Sequence, residues 1–100
     1  MPNEKVWGAL GLSRRAGKCM TGDFACERAV RANKARLVVV DETLASAVKE
    51  KYRRLCAGKD ILYLELPRVG EAVGKPAGKI AAITDQGFAG MIKNAASNNE

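Results

Sequence analysis

A chain of 100 residues with 47% hydrophobic and 28% charged side chains has the length of one domain and the composition of a folded protein, which excludes a disordered or fibrous chain. The formal net charge is +6, histidine is absent, and no stretch approaches the ~20 apolar residues of a membrane span. The three cysteines, Cys19, Cys26 and Cys56, form no C-x-x-C; this excludes the usual zinc patterns and fits a reducing, cytoplasmic setting.

In chain order, Asn3 is expected to cap a first helix over residues 4–16, with Val6, Trp7, Ala9, Leu10 and Leu12 on its apolar arc. Gly17 stops it. The apolar run Val6–Leu12, followed by Arg14 and Arg15, does not read as a secretory leader. Lys18–Thr21 reads as a short strand or extended link, and Gly22 with Asp23 opens a second helix that ends near Ala32. "RLVVVD" (36–41) is the continuous valine-rich run of a strand covered on both faces.

Thr43 or Ser46 opens a third helix, with Leu44, Val48, Tyr52, Leu55 and Cys56 inward and Lys49, Lys51, Arg53 and Arg54 outward. Gly58 suits the position just beyond its C-terminus. "ILYLEL" (61–66) is a strand ended by Pro67; a short helix over Val69–Val73 leads to the loop "GKPAGK" (74–79), and "IAAIT" (80–84) is a third buried strand. Asp85 caps a last helix carrying Phe88, Met91 and Ile92, and the chain is expected to fray from about residue 95. Alternating strands and helices predict a single α/β layered domain over 1–100, with a largely parallel sheet.

The inventory for catalysis is thin. Without histidine there is no ordinary Ser-His or Cys-His pair. Asp41-Glu42 and Thr84-Asp85 stand at strand ends, where they read as helix caps before they read as catalytic groups. "GEAVGK" and "GKPAGK" lack the four-residue glycine spacing and the Ser/Thr of a phosphate loop, and run from helix into strand. The nucleotidase reading is therefore rejected.

The charge is lopsided. Residues 1–40 hold eight Lys/Arg against three acids, and residues 41–100 hold nine against eight. A basic excess in one segment points to a polyanion partner. Within it, the second helix splits into two faces: Cys26, Ala29, Val30 and Asn33 on one, Phe24, Arg28 and Arg31 on the other. A phenylalanine on a basic face has three readings. It folds back as a hydrophobic staple, it covers a dimer contact, or it offers a stacking platform for bases beside arginines that take phosphates. The amides at Gly22 and Asp23 form an anion-binding helix end, for which the Asp23 carboxylate competes.

The strings "GLSRRAGKCMTG", "RANKARLVVV" and "VGKPAGKIAAITDQGFA" resemble the bacterial YlxQ-type branch of the ribosomal-protein family that binds kink-turn RNA, over residues 5–93. Archaeal and eukaryotic members of that family are large-subunit ribosomal proteins and snoRNP components. The resemblance implies a three-layer α/β/α sandwich around a small mixed sheet, with no cofactor and no catalysis. It also implies cytoplasmic, ribosome-associated binding of structured RNA through the start of the second helix and the loop before the last strand. The family's motif is a glycine, one residue, Asn-Glu, two residues, then Lys. Laid on this chain it falls on Gly22, Phe24, Ala25 and Arg28, with only the glycine and the cation kept. The candidate RNA-binding residues are thus Lys18, Gly22, Asp23, Phe24, Arg28 and Arg31, with Lys75, Pro76, Gly78 and Lys79 of the loop. The alternative is a protein–protein adaptor or homodimer that uses the Phe24 face.

Overall fold

The computed structural model describes residues 4–75 and 78–97. The elements are α1 (Lys5–Arg15), β1 (Cys19–Thr21), α2 (Asp23–Arg31), β2 (Leu37–Asp41), α3 (Ser46–Gly58), β3 (Leu62–Leu66), α4 (Val69–Ala72), β4 (Ile80–Ile83) and α5 (Gln86–Ser97). Asn3 and the tail 98–100 lie outside the described residues. Residues 95–97 are helical, where fraying was expected.

The four strands form one mixed sheet in the order β1-β4-β2-β3. Only β2 and β3 are parallel; β4 runs antiparallel to both β1 and β2. The largely parallel sheet expected from the alternation of elements is thus corrected, for a reason of length. A parallel return needs a crossover that carries the chain back along a whole strand. With four residues, α4 advances only about 6 Å, so β4 starts at the end where β3 stopped.

Strand periodicity then builds two cores. Leu37 and Val39 of β2, with Ala81 and Ile83 of β4, pack against Val6 and Leu10 of α1, Val69 of α4 and Ile92 of α5. Val38 and Val40, with Ile80 and Ala82, face Cys26 and Val30 of α2 and Tyr52 and Cys56 of α3. Successive side chains point to opposite faces, so a strand covered on both faces is apolar along its run, as β2 is from Leu37 to Val40 before the hydrogen-bonded Asp41. The result is three layers: α1, α4 and α5, then the sheet, then α2 and α3.

Four helices close the same way. Gly17, Asn33, Asp60 and Gly74 adopt positive φ just past α1, α2, α3 and α4. The amide of each next residue reaches back to the helix, Lys18 to Ser13, Lys34 to Ala29, Ile61 to Cys56 and Lys75 to Gly70, at 2.8–2.9 Å. This is the Schellman closure, which favours glycine and tolerates asparagine and aspartate. Gly58, expected just beyond α3, is instead its last residue, and Asp60 makes the turn. Asn33 likewise ends α2 rather than joining its buried face. Asp85 caps α5 as expected, accepting the Phe88 amide at 2.9 Å.

Asp41 is a buried knot between layers. Its carboxylate accepts the Thr43 amide and hydroxyl at 3.0 and 2.7 Å and the Val69 amide at 3.1 Å. Desolvation raises its pKa, but these bonds, with Lys79 nearby, outweigh it and hold the carboxyl below its ordinary value. A carboxyl depressed in the fold stabilises above its unfolded pKa and loses that contribution as pH falls through its folded one. Asp41→Ala should therefore lower the unfolding free energy at neutral pH by about 2–3 kcal/mol. Urea titration would read this as an earlier midpoint at unchanged slope, with the gap between the two proteins closing in acid.

Candidate functional site

Gly22 is both the last link of β1 and the residue that opens α2. Its amide donates to the Ile80 carbonyl of β4 at 3.0 Å, and its carbonyl accepts the Cys26 amide at 3.0 Å as the first helical bond. No residue is left over for a linker, so the reversal falls on one backbone unit, with φ 94° and ψ 155°. That region is essentially closed to side-chain-bearing residues. A Cβ at Gly22 would meet nothing within 4 Å, so glycine is required by the dihedral and not by crowding.

Asp23 does not cap the helix it begins; no side chain does. Its carboxylate is drawn sideways to α3, where it accepts the Lys51 ammonium at 3.1 Å and the Tyr52 hydroxyl. The same hydroxyl lies 2.8 Å from the Asp23 carbonyl. The Tyr52 hydrogen bond is the main cause holding the Asp23 carboxyl below its usual range, against a smaller opposing effect of burial. Burial and Asp23 together push the Tyr52 hydroxyl up. The competition of Asp23 for the helix-end amides, expected from sequence, is therefore absent. The first-turn amides of residues 23–25 have no intrahelical partner.

The loop before β4 reaches this same place. Gly78 is packed so closely that a Cβ would stand 3.2 Å from the Lys75 Cβ and carbonyl and 3.6 Å from the Thr21 side chain. Its amide bonds the Lys75 carbonyl at 2.7 Å. Lys79 lines a depression of about 270 Å³ with Gly22, Asp23, Leu44, Val48 and Ile80. Gly22, Asp23, Gly78 and Lys79 thus meet at one end of the sheet with Lys75 beside them, while Pro76 lies outside the described residues.

Phe24 is 76% exposed, which rules out the hydrophobic staple. The Arg28 guanidinium lies 5.6 Å from its ring centroid. Both border a cleft of about 380 Å³ shared with Met20, Ala25, Ala29, Ala32, Lys34 and Thr84. Met20 and Lys34 escaped the sequence reading. The available signal for Met20 was alternation: Cys19 points into the core, so the next residue of β1 points away from it.

Two candidate residues stand elsewhere. Arg31 turns to Glu27 at 2.9 Å, and Glu27 also meets Lys51 at 2.8 Å, so Arg31 belongs to the flank of α2 that faces α3. Lys18 sits at the opposite end of β1, beside Thr84, whose amide bonds the Lys18 carbonyl at 2.9 Å. At about 3.4 Å per residue, four residues separate Lys18 from Gly22 by roughly 13 Å.

The cysteines are free and buried. Burial pushes the Cys26 thiol up to about 12 and Cys56 up to about 11, far from a reactive thiolate at neutral pH. Among the described residues no cluster of side chains could hold a metal ion, and no helix is long and apolar enough to cross a membrane. Tyr52→Phe should move the Asp23 carboxyl back toward its ordinary pKa, followed by NMR titration of that carboxyl. Loss of the hydroxyl's bond should also cost about 1 kcal/mol of stability.

Comparison with known proteins agrees with this architecture. The model of the ribosomal protein L7Ae/L30e/S12e/Gadd45 family matches residues 4–92. The RNA-binding protein YlxQ of Bacillus subtilis (strain 168) is 31% identical over 86 residues, 83% of this chain and 86% of its own. YlxQ of Enterococcus faecium is 30% identical over 93 residues, 90% of this chain and 89% of its own. A Bacillus halodurans protein of unknown function superposes with a TM-score of 0.89 at 25% identity, over 94% of this chain and 98% of the other. The Giardia lamblia 15.5kD RNA binding protein shares the fold at a TM-score of 0.75 and 15% identity, over 95% and 88%.

Proposed function

Because the chain belongs to the ribosomal protein L7Ae/L30e/S12e/Gadd45 family, we propose that it is a non-catalytic cytoplasmic protein that binds structured, ribosome-associated RNA through the start of α2 and the loop before β4. The observation that carries this reading is the uncapped first turn of α2 beside Gly78 and Lys79, with the Asp23 carboxylate held away by Tyr52 and Lys51. Backbone amides at a helix start, with a lysine at hand, suit a phosphate. The names of the YlxQ relatives point the same way. Arg28 takes the place of the family's lysine, and Phe24 presents its ring to the ligand.

The second reading, an adaptor or homodimer, is favoured by the exposure of Phe24 and Met20 side by side. Salt separates the two. RNA affinity falls log-linearly with salt, by about 0.7–0.9 per phosphate contact, whereas an apolar contact responds little. Arg28→Glu should weaken RNA binding by about tenfold or more. Arg54→Glu makes the same change of charge on the outer face of α3, where Arg54 pairs with Glu50 at 3.0 Å, and should cost less than about threefold. Equal losses in a fluorescence titration would leave only non-specific attraction.

Phe24 and Ala25 stand where the resemblance places a base-reading Asn-Glu pair, and neither side chain offers a hydrogen bond. The native chain should therefore prefer a kink-turn to a matched duplex only modestly. The double change Phe24→Asn with Ala25→Glu should raise that preference by roughly five- to 150-fold, by analogy with bidentate base contacts in DNA. Competition binding with the two RNAs measures it. A thousandfold preference in the native protein would mean that main-chain groups near Gly22 and the loop do the reading.

A further inference from the structure

We propose that the cleft between α2 and the edge strand β1 carries a single-stranded stretch of RNA away from the helix start; this rests on the RNA-binding function proposed above. The two flanks of α2 are chemically unlike. On the side of α3 the charges are matched in series: Arg31 with Glu27, Glu27 with Lys51, Lys51 with Asp23. On the side of β1, Arg28 and Lys34 meet no carboxylate among the described residues. Lys18, beside Thr84 at the far end of the cleft, and Arg36 have no ion pair among the described residues either, though Arg36 lines a separate depression with Lys59 and Asp60. Lys18 and Arg36 bracket the end of β4: the Thr84 amide bonds the Lys18 carbonyl, and the Arg36 amide bonds the Ile83 carbonyl.

Between the cations the surface is apolar. Met20, 43% exposed, and Phe24, 76% exposed, lie in one cleft of about 380 Å³ with Ala25, Ala29 and Ala32 forming its wall. Burying either large side chain would stabilise the fold, so leaving both outside in a single cleft forgoes free energy. Among the described residues nothing covers them: β1 pairs only with β4 and is an edge of the sheet.

The charge pattern selects the occupant. An apolar peptide would fill the cleft but has no use for the Arg28 and Lys34 cations that border it. A duplex would meet the cations but keeps its base faces stacked inside, away from Phe24 and Met20. A single strand presents both, phosphates to the cations and bases to the ring and the thioether. The cleft begins at Phe24, in the first turn of α2, so the strand leaves the helix start and follows α2 for its length of about 13 Å. Lys18, displaced from the helix start by the length of β1, thus joins the same surface at its far end.

The test uses the full chain and a kink-turn hairpin with and without an added unpaired tail of about six nucleotides, placed at each strand end in turn. At about 100 mM salt, one tail should raise affinity by about tenfold, the scale of a single stacked base. Annealing a complementary strand to that tail should remove the gain. Met20→Ala and Lys34→Gln, which lie outside the first turn of α2 and outside the loop, should each cut the gain to less than about threefold. Both should leave the tail-less hairpin within about twofold of the native affinity. Equal affinity for tailed and tail-less hairpins overturns the cleft while leaving the helix-start reading intact. A gain that survives annealing or both substitutions also overturns it, because that gain is bulk charge. A chain that binds neither hairpin fails both readings.

Discussion

The hydroxyl of Tyr52 meets the carbonyl and the carboxylate of Asp23, and through this contact the second core determines where α2 begins. The ring is fully buried and is the largest side chain so enclosed. A buried ring contributes through area, on the order of 1.5–3 kcal/mol, but its hydroxyl must still find a partner. The partner lies at the surface, in the first turn of α2. Hence a core position of α3 fixes a rim position of α2, and the same bond takes the Asp23 carboxylate off the helix axis. Gly22 supplies the complement, a backbone geometry that lets the strand end and the helix start at one residue.

Sheet topology brings the other half of the site to this point. Because β4 enters between β1 and β2 in the antiparallel sense, its first residue lies beside the last residue of β1. The loop before β4 is therefore next to Gly22, although more than fifty residues separate them in the chain. Register fixes the rest: Thr21 pairs with Ala81, and Val40 with Ile80. Asp41 follows Val40, and its amide bonds the Lys79 carbonyl at 2.8 Å. A short α4 thus has a consequence beyond the sense of β4 itself, since a parallel β4 would have sent the loop to the opposite end.

The elements legible in the sequence are those whose signal is local. A valine run buried on both faces, a glycine after α1, an aspartate before α5 and an apolar arc at helical spacing all read directly, and so do the general places of Gly22, Phe24 and Arg28. What escaped depends on distances between elements. The sense of β4 follows from the four-residue length of α4. The αL closure of α3 falls on Asp60 although Gly58 lies two residues earlier, because helix length is set by packing of Tyr52 and Cys56 against the sheet. Arg31 lies near Phe24 on a helical wheel, yet its guanidinium is taken by Glu27 one turn earlier, a local i,i+4 pair that the division into two faces passes over. Lys18 is four residues from Gly22 in sequence and a strand's length away in space.

An exposed ring and a hydrogen-bonding side chain select ligands by different physics. A buried donor or acceptor discriminates because the wrong partner leaves it unpaired, at a cost of about 1–3 kcal/mol. A ring does not, since every base has a face to stack on. In the proposed function, Phe24 and Ala25 at the start of α2 give up side-chain readout of base edges there, and what would remain is main chain: the uncapped first-turn amides and the tightly packed turn at Gly78. Main-chain groups of this kind would sense the path of a phosphate backbone and not the identity of a base. If RNA is the ligand, a chain built this way selects for bends that bring phosphates to the helix start. It leaves sequence to be felt only weakly, through the stacking strength of whichever base meets Phe24.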